Sequence, residues 1–451
     1  MAKETTELAE YAATCRYEDF PSDVVERAKQ CITDTVAAAI YGYDLPWSRM
    51  VVAFAEKNGA GGQSRILGRG AGRVHAPAAA LANGALAHAF EMDNLTWPST
   101  GVHPGATLLP SGLALAQERG HGGRELITAI VAGAEVMIRI GRATQHRNEG
   151  RGFHAPGTTG PFGAAVACAR LLCLDGQRMR NALGIAGSLA CGLLEFARAG
   201  NGAMVKRLHL GRAAESGVLA ASLASDGFTG PASVLEGEFG FLRVFCGTDF
   251  DAGELIRGLG TSYATRSIML KRFPCHITAQ TSVQAILDLR AAHGYAAADV
   301  AAIHIAGNDK MARVNNIPSP PDIMLAQYSV PFCVALAHVR DARDPRSFDE
   351  SALQDAQIRS LAQHVTITIA KDPPTPLAAD VTVTLRDGRV LKRSIADFKG
   401  TPEQPLDGTE LREKFLLLTR HCGAGDMGGL FDRLQNLEHE TDLGWIAVGG
   451  P

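Results

Sequence analysis

Residues 381–395, VTVTLRDGRVLKRSI, decide the fold class because they predict a β-hairpin in a chain that begins as a series of helices. Apolar and polar side chains alternate on both sides of Asp387-Gly388, a dipeptide typical of tight hairpin turns. Further strand patterns lie at 300–305 and 365–369, and helical patterns at 277–293 and 323–339 are interleaved with them. This part of the chain is therefore predicted to be a small α+β unit.

The chain on either side of this unit has helical periodicity. Before about residue 260 no convincing strand pattern occurs, and Ala-, Leu- and Val-rich segments bounded by Gly or Pro predict helices at 76–90, 105–119, 123–140, 161–173, 179–198 and 211–225. Helical patterns return at 409–418 and 426–437. The predicted fold class is mainly α, a large all-helical domain (1–265 plus 401–451) with an inserted smaller α+β lid domain (266–400).

Composition excludes several function classes. The 451 residues include 44 Lys+Arg and 47 Asp+Glu, and a net charge of -3 argues against a nucleic-acid partner. Nine cysteines, an odd number without a C-x-x-C pair, indicate reduced thiols in a cytoplasmic protein. The N-terminus lacks a secretory h-region, and no apolar run reaches about 18 residues, so no membrane association is expected.

Common cofactor and nucleophile motifs are absent from the sequence. There is no P-loop, no H-E-x-x-H, no G-x-S-x-G elbow and no zinc-finger spacing. The glycine-rich run at 68–73 lacks the G-x-G-x-x-G spacing of a dinucleotide site. The sequence therefore predicts no metal site and makes nicotinamide binding improbable.

Polar and ionisable residues instead recur beside predicted helix starts. A helix N-terminus presents unpaired N–H groups and a partial positive charge, which favour anions. Several converging N-termini with added Lys and His suit a substrate with two or three carboxylates. The candidate residues are Asp93, Thr96 and His103, then His154, Thr158 and Thr159, then Lys206 and Arg207, then Lys271, Arg272 and His276, and finally Tyr328.

Each candidate also has a purely structural explanation. A lone Asp or His beside a helix start is often a cap or a packing residue. A Lys-Arg pair is often a solvated surface feature, and a buried tyrosine often belongs to a core with its hydroxyl satisfied. These alternatives apply to Asp93, His103, His154, Lys206 with Arg207, His276 and Tyr328, whereas His209 is expected to be structural.

Six stretches spread along the chain resemble the MmgE/PrpD family, which includes 2-methylcitrate dehydratase, cis-aconitate decarboxylase and iminodisuccinate epimerase. They are HAFEMDNLTWPSTGVHPGATLLP (88–110), RGFHAPGTTGPFGAAVACARLL (151–172), MVKRLHLGRAAESGVLAASLASDGFTGP (204–231), LEGEFGF (235–241), KRFPCHITAQ (271–280) and AQYSVPFCVA (326–335). The resemblance implies a helical domain with an α+β lid, a homodimer, and activity without a metal or organic cofactor.

The resemblance also implies the roles of site residues. The decarboxylase branch uses an Asp, two His and a Lys from the helical domain and a His and a Tyr from the lid, which correspond here to Asp93, His103, His154, Lys206, His276 and Tyr328, with Thr96 near a threonine used there. One departure concerns the loop after Asp93. Asn94 stands where many dehydratase-like members carry a second aspartate.

The activity implied is that of a cofactor-independent lyase, a dehydratase or decarboxylase, acting on a small polycarboxylate such as 2-methylcitrate or cis-aconitate. Proton transfer at a carbon next to a carboxylate is common to the family's reactions, and histidines suit it near neutral pH. Epimerisation of a dicarboxylate such as iminodisuccinate remains an alternative. A non-catalytic, carboxylate-binding member of the fold is the alternative from another class.

Overall fold

A computed structural model describes residues 3–68, 72–96, 101–197, 200, 202–422 and 425–447. Residues 97–100 of the quoted stretch 88–110, and residues 69–71 of the glycine-rich run, lie outside the described residues. Among the helices that are described, none combines the length and the apolar character needed to cross a membrane.

Helices make up most of the structure. They are Glu4–Thr14 (α1), Ser22–Gly42 (α2), Pro46–Gly59 (α3), Ala76–Ala87 (α4), Pro104–Arg119 (α5), Gly123–Ala143 (α6), Arg147–Gly150 (α7), Ala155–Leu171 (α8), Gly176–Ser188 (α9), Val205–Ser225 (α10), Phe241–Cys246 (α11), Gln280–His293 (α12), Asp309–Arg313 (α13), Ile323–Ala326 (α14), Val330–Val339 (α15), Glu350–Gln354 (α16), Ala356–Gln363 (α17), Gly408–Thr419 (α18) and Met427–Gln435 (α19).

Small residues let the central helices α4, α8 and α10 approach one another closely. A Cβ added to Gly211 of α10 would lie 2.3 Å from the carbonyl oxygen of Leu81 in α4. On the other side of α10, a Cβ on Gly217 would lie 2.2 Å from the Cβ of Ala164 in α8. Because side chains larger than glycine do not fit at these contacts, the packing fixes where the N-terminus of α10 points.

The strands of the C-terminal half form one sheet. Val300–Gly307 (β5), Val365–Ile369 (β6), Ala379–Leu385 (β7) and Val390–Ile395 (β8) are arranged in the order β6-β5-β7-β8. The β5 and β6 strands are parallel, and the other neighbours are antiparallel. The alternation predicted at 381–385 is real, since Val381, Val383 and Leu385 are buried, and the predicted hairpin is formed by β7 and β8.

Two short antiparallel ladders in the first 270 residues were not predicted. Ala60–Arg65 (β1) pairs with Arg73–Val74 (β2), and Leu95–Thr96 (β3) pairs with Ile268–Met269 (β4). The expectation of an all-helical domain missed these ladders, because β2, β3 and β4 have only two residues each, too few to produce a visible alternation. The β3–β4 ladder joins the segment after Asp93 to the segment before Lys271.

The predicted fold class, mainly α with a small sheet, is confirmed. The structure has two main hydrophobic cores. The larger core contains buried residues between Leu8 and Leu270 and again between Leu406 and Ile446. The smaller contains residues between Phe273 and Ile395, together with Phe90. The domain limits at 265/266 and 400/401 stay a prediction.

Candidate functional site

One cavity of about 420 Å³ is lined by residues from both halves of the chain, and it brings together many of the sequence candidates. His103 and His154 line it from the N-terminal half, together with Lys206. The lining from the C-terminal half includes Lys271, His276 and Tyr328. Residues far apart in sequence thus share one cavity, although their catalytic roles stay a prediction.

Asp93 is fully buried behind the cavity wall and organises two imidazoles. Its Oδ2 lies 2.6 Å from Nδ1 of His103 and 2.9 Å from Nδ1 of His88. Because a carboxylate only accepts hydrogen bonds, both imidazoles carry a proton on Nδ1. Burial alone would raise the pKa of Asp93, but His88 and His103 outweigh it and hold the pKa well below its usual value.

Asn94 supports the same loop and explains the departure from the family pattern. Its Oδ1 accepts a hydrogen bond from the backbone N–H of Gly105 at 2.8 Å, in the first turn of α5. Its Nδ2 donates to Oδ2 of Asp34 at 3.1 Å and to Oγ1 of Thr35 at 2.9 Å. An amide can donate beside Asp34, whereas a second carboxylate there cannot, so Asn94 has a positioning role.

His103 and His154 are each the residue before a helix. As predicted, α5 begins at Pro104. The helix after His154 begins at Ala155 and not at Pro161, because Pro156 occupies its first turn, where proline is tolerated. Nδ1 of His154 lies 2.8 Å from Nδ1 of His209, so one imidazole donates a hydrogen bond to the other.

Glu91 lies at the centre of a buried cluster of cations. The sequence analysis identified these cations as candidates but missed Glu91. Its Oε2 accepts a hydrogen bond from Nζ of Lys271 at 2.8 Å. Its Oε1 accepts from Nη1 of Arg207 at 3.2 Å and from Nζ of Lys206. Glu91 is 2% exposed and has a φ of 53°, in the left-handed region that costs a non-glycine residue free energy. Three cations thus face one carboxylate.

Lys206 lies in the first turn of its helix, because α10 begins at Val205 and not at Gly211. The predicted helix start at Gly211 is therefore wrong, since residues 205–209 already belong to the helix that contains Gly211 and Gly217. Burial, followed by the charges of Arg207 and Lys271, lowers the pKa of Lys206 well below its usual value, but the carboxylate of Glu91 in direct contact with Nζ favours the charged ammonium form. The N-termini of α5, α8 and α10 all reach this cavity, and their partial positive charges favour anions.

His276 and Tyr328 form the opposite wall. Their ring centroids are 4.9 Å apart, and Nζ of Lys206 lies 5.0 Å from the centroid of Tyr328. Tyr328 does not lie inside a helix as predicted, because it falls in the break between α14 and α15. Nδ1 of His276 accepts a hydrogen bond from the backbone N–H of Thr278 at 3.4 Å, so the neutral imidazole carries its proton on Nε2.

Gln327 ties these walls together. Its Nε2 donates to the carbonyl oxygens of Phe90 at 2.9 Å and Pro274 at 3.0 Å, and its Oε1 accepts from Nη2 of Arg207 at 3.3 Å. Its own carbonyl oxygen accepts from the backbone N–H of His276 at 2.8 Å. One buried amide therefore sets the relative positions of the segments that carry Glu91, Arg207 and His276.

Burial determines the protonation of several site residues. It lowers the pKa of His154 and of His276 well below the usual value, and nearby cations and imidazoles add to the effect. Both imidazoles are therefore neutral near pH 7. Burial raises the pKa of Tyr328, so its hydroxyl keeps its proton.

Several candidates for substrate binding lie away from the cavity. Thr158 and Thr159 are buried inside α8, and both hydroxyls donate to the carbonyl oxygen of Ala155, a frequent arrangement for helical threonine. Arg272 lines a different cavity. Thr96 belongs to β3, where its backbone N–H donates to Val102 at 2.9 Å. Arg207 reaches the site through Glu91.

Other residues of the site had little signal in the sequence. Glu91, which lines the cavity, and His88, which is buried beside Asp93, fall inside the quoted stretch 88–110 without a distinctive motif of their own. Lys310 and Glu149 line the cavity from short helices, α13 and α7, that resemble ordinary solvated segments.

The grouping His88, Asp93 and His103 is the arrangement of potential ligands closest to a metal site among the described residues. Both Nδ1 atoms direct their protons at Asp93, and a metal would have to replace them. These hydrogen bonds occupy both Nδ1 atoms and Oδ2 of Asp93, whereas Oδ1 of Asp93 and Nε2 of His88 are buried without a hydrogen-bond partner among the described residues. That the protein needs no metal stays a prediction.

Comparisons with known proteins agree with the six stretches. The model of the MmgE/PrpD N-terminal domain matches residues 6–252, and that of the MmgE/PrpD C-terminal domain matches residues 273–427. Cis-aconitate decarboxylase of Aspergillus terreus is 33% identical over 298 residues, which span 63% of this chain but only 60% of the fungal protein. The human cis-aconitate decarboxylase is 26% identical over 404 residues, 87% of this chain and 82% of the human one.

Proposed function

The chain belongs to the MmgE/PrpD family, and we propose that it is a cofactor-independent lyase that decarboxylates a small polycarboxylate such as cis-aconitate. The observation that carries the proposal is the meeting of two groups in one cavity. One is the Asp93–His103 pair, which can move a proton, and the other is the buried cation cluster around Glu91. The similarity to cis-aconitate decarboxylases favours decarboxylation over dehydration or epimerisation.

The cation cluster provides the substrate-binding half of the site. Lys206, Arg207 and Lys271 carry three formal positive charges against two carboxylates, that of Glu91 and that of Asp93, whose Oδ1 lies 4.0 Å from Nζ of Lys271. The cluster thus has an excess of positive charge where water is largely excluded, and charge-assisted hydrogen bonds are strong in such surroundings. Substrate carboxylates at Lys206 and Lys271 would offset that excess.

The reaction itself needs one bond to break and one proton to be added. The bond between a carboxylate and its carbon breaks, and carbon dioxide leaves. The bonding electron pair moves through the adjacent double bond, and a proton is added to the carbon that receives it. A tricarboxylate trianion and one proton thus become a dicarboxylate dianion and carbon dioxide.

His103 is the residue we assign to that proton. Nδ1 donates to Asp93, so Nε2 is the atom that carries and delivers the catalytic proton. Asp93 offsets the positive charge of the protonated imidazole, and it also fixes the orientation of the ring. The ammonium groups of Lys206 and Lys271 stabilise negative charge that develops on the substrate.

The remaining candidates would orient the substrate. Neutral His276 presents Nε2–H, and Tyr328 presents a hydroxyl that keeps its proton, so both are hydrogen-bond donors to carboxylate oxygens. His154 lies across the cavity, in contact with His209. The homodimer implied by the family stays a prediction that sedimentation of the purified chain tests.

A panel of acids tests the proposal. The purified protein is incubated with cis-aconitate, 2-methylcitrate and iminodisuccinate, and products are followed by NMR together with carbon dioxide release. Conversion of cis-aconitate to a five-carbon dicarboxylate with carbon dioxide is expected. Loss of water from 2-methylcitrate, epimerisation of iminodisuccinate, or thermal stabilisation by all acids without any turnover would each reject the proposed reaction.

A further inference from the structure

Lys310 lines the cavity but has no part in the proposed reaction. It belongs to α13, in the C-terminal half, and lines the same cavity as Lys206 and His276. Its side chain is 39% exposed, whereas those of Lys206 and Lys271 are 6% and 1% exposed. Lys310 therefore lies nearer to solvent than the buried cluster.

Lys310 is also the cavity lysine with the weakest protein partner. Lys271 and Lys206 both donate hydrogen bonds to the buried Glu91. Nζ of Lys310 lies 3.9 Å from Oε2 of Glu149, which is within range of an ion pair but too long for a hydrogen bond. Among the described cavity lysines, Lys310 is thus the one whose ammonium group can most readily exchange its protein partner for an incoming anion.

The neighbouring acid, Asp309, does not provide Lys310 with a stronger ion-pair partner. Asp309 also lines the cavity, but its carboxylate is engaged by Nε of Arg313 on the same short helix. The charge of Lys310 nevertheless reaches the site, since it is among the causes that lower the pKa of His154 and of His276. Its ammonium group is therefore close enough to contribute to the field in which the substrate binds.

We propose that Lys310 binds a carboxylate of the substrate that is remote from Lys206 and Lys271, and thereby selects tricarboxylates over dicarboxylates. The inference rests on the proposed function, since it concerns a substrate in the same cavity. Two carboxylates bind the buried cluster, and the third displaces Glu149 as the partner of Lys310. A dicarboxylate engages the cluster and leaves the Lys310–Glu149 pair as it is.

Equilibrium binding of two unreactive acids tests this selection. Tricarballylate carries three carboxylates and glutarate carries two, and isothermal titration gives Kd for each with the wild type, Lys310→Met and Lys310→Arg. We expect Lys310→Met to raise Kd for tricarballylate about tenfold, as loss of a charge-assisted hydrogen bond does. The Kd for glutarate is expected to stay within about twofold, as for an uninvolved, exposed lysine.

The control is Lys392→Met on β8, an exposed lysine outside the cavity, which should leave both constants unchanged. Lys310→Arg keeps the charge and should retain most of the preference for tricarballylate. Equal weakening of both acids by Lys310→Met, or no change in either, would overturn the inference. A wild type that prefers tricarballylate yet releases no carbon dioxide from cis-aconitate would refute the proposed reaction and leave the role of Lys310 standing.

Discussion

Nδ1 of His103 lies 2.6 Å from Oδ2 of Asp93, which places Nε2 on the opposite side of a ring that lines the cavity. The same oxygen of Asp93 also accepts a hydrogen bond from His88. The loop that carries Asp93 is held from behind by α18, since Nζ of Lys414 donates to the carbonyl oxygen of Met92 at 3.0 Å and to Asp34. Helix α18 thus stabilises the loop behind the Asp93–His103 pair, on the side away from the cavity.

Replacing Asp93 with Asn should lower kcat by a factor of about 100, since a positioned proton donor contributes roughly 10²–10⁴ to the rate. The amide no longer offsets the charge of protonated His103, and it can present an N–H to an imidazole that is itself a donor. Steady-state kinetics with cis-aconitate measures the effect. A variant with wild-type kcat would show that Asp93 only supports the loop.

Lys206→Met should lower kcat/KM at least about tenfold, because a charged hydrogen bond to a carboxylate contributes roughly 1.5–3 kcal/mol. Methionine keeps most of the apolar stem. Arg207 is not a suitable control, because it is buried against Glu91 and Gln327. Arg212→Met, on the exposed side of α10, is the matched control and should keep wild-type kinetics. Equal kinetics in both variants would reject the role of Lys206.

Asn94→Asp tests the explanation of the departure from the family pattern. The new carboxylate would lie beside Asp34 and lose the donors that now bind Asp34 and Thr35, so a destabilisation of about 1–3 kcal/mol is expected. Urea unfolding measures it, with Asn58→Asp on the exposed face of α3 as the control. A variant as stable as the wild type would show that either side chain suits this position.

Stability should fall as the pH decreases from about 6.5 to about 4. Burial lowers the pKa of His209 and of His338 from 6.5 to about 4, and it lowers those of His154 and His276 as well. In this window the unfolded chain binds protons that the folded chain does not, so the free energy of unfolding rises with pH. Thermal unfolding between pH 4 and pH 7 is the measurement, and a Tm that is constant or falls with rising pH would contradict it.

Activity should survive removal of metal ions, because the Nδ1 protons of His88 and His103 already occupy Oδ2 of Asp93, the oxygen nearest to both imidazoles. Protein dialysed against EDTA is assayed with cis-aconitate before and after addition of Zn²⁺, Mn²⁺ or Mg²⁺. Full activity is expected throughout. Loss on chelation that a single ion restores would instead assign the His88–Asp93–His103 grouping to a metal.

The sequence predicted the architecture better than the local details. Alternation in 381–385 and the turn at Asp387-Gly388 identified the β7–β8 hairpin, because side-chain period and turn chemistry are local properties. The helix starts at Ala155 and Val205 were missed. A proline such as Pro156 is compatible with the first turn of a helix and with the loop before it, and Gly211 is compatible with a helix start and with a helix interior. The β3–β4 ladder pairs residues that are 172 and 174 positions apart in the chain, so it left no local trace.

The site shows the same division. His103, His154 and Lys206 stand beside helix starts and were recognisable by motif, whereas Glu91 acquires its importance only when Lys206 and Lys271 fold against it. Thr158 and Thr159 were predicted to bind the substrate, but the helix starts earlier, and both hydroxyls donate to the carbonyl oxygen of Ala155 within it. Ion pairing across the fold cannot be read from spacing along the chain.

The central claim is that this cavity breaks a carbon–carboxylate bond and adds a proton through His103. Cis-aconitate is therefore incubated with the wild type and with His103→Asn in heavy water, and carbon dioxide and deuterium in the product are measured together. The wild type should release one carbon dioxide per molecule consumed and place one deuterium on carbon, while the variant should be slowed at least about 100-fold. Consumption without carbon dioxide, or a His103→Asn variant as fast as the wild type, would contradict the account.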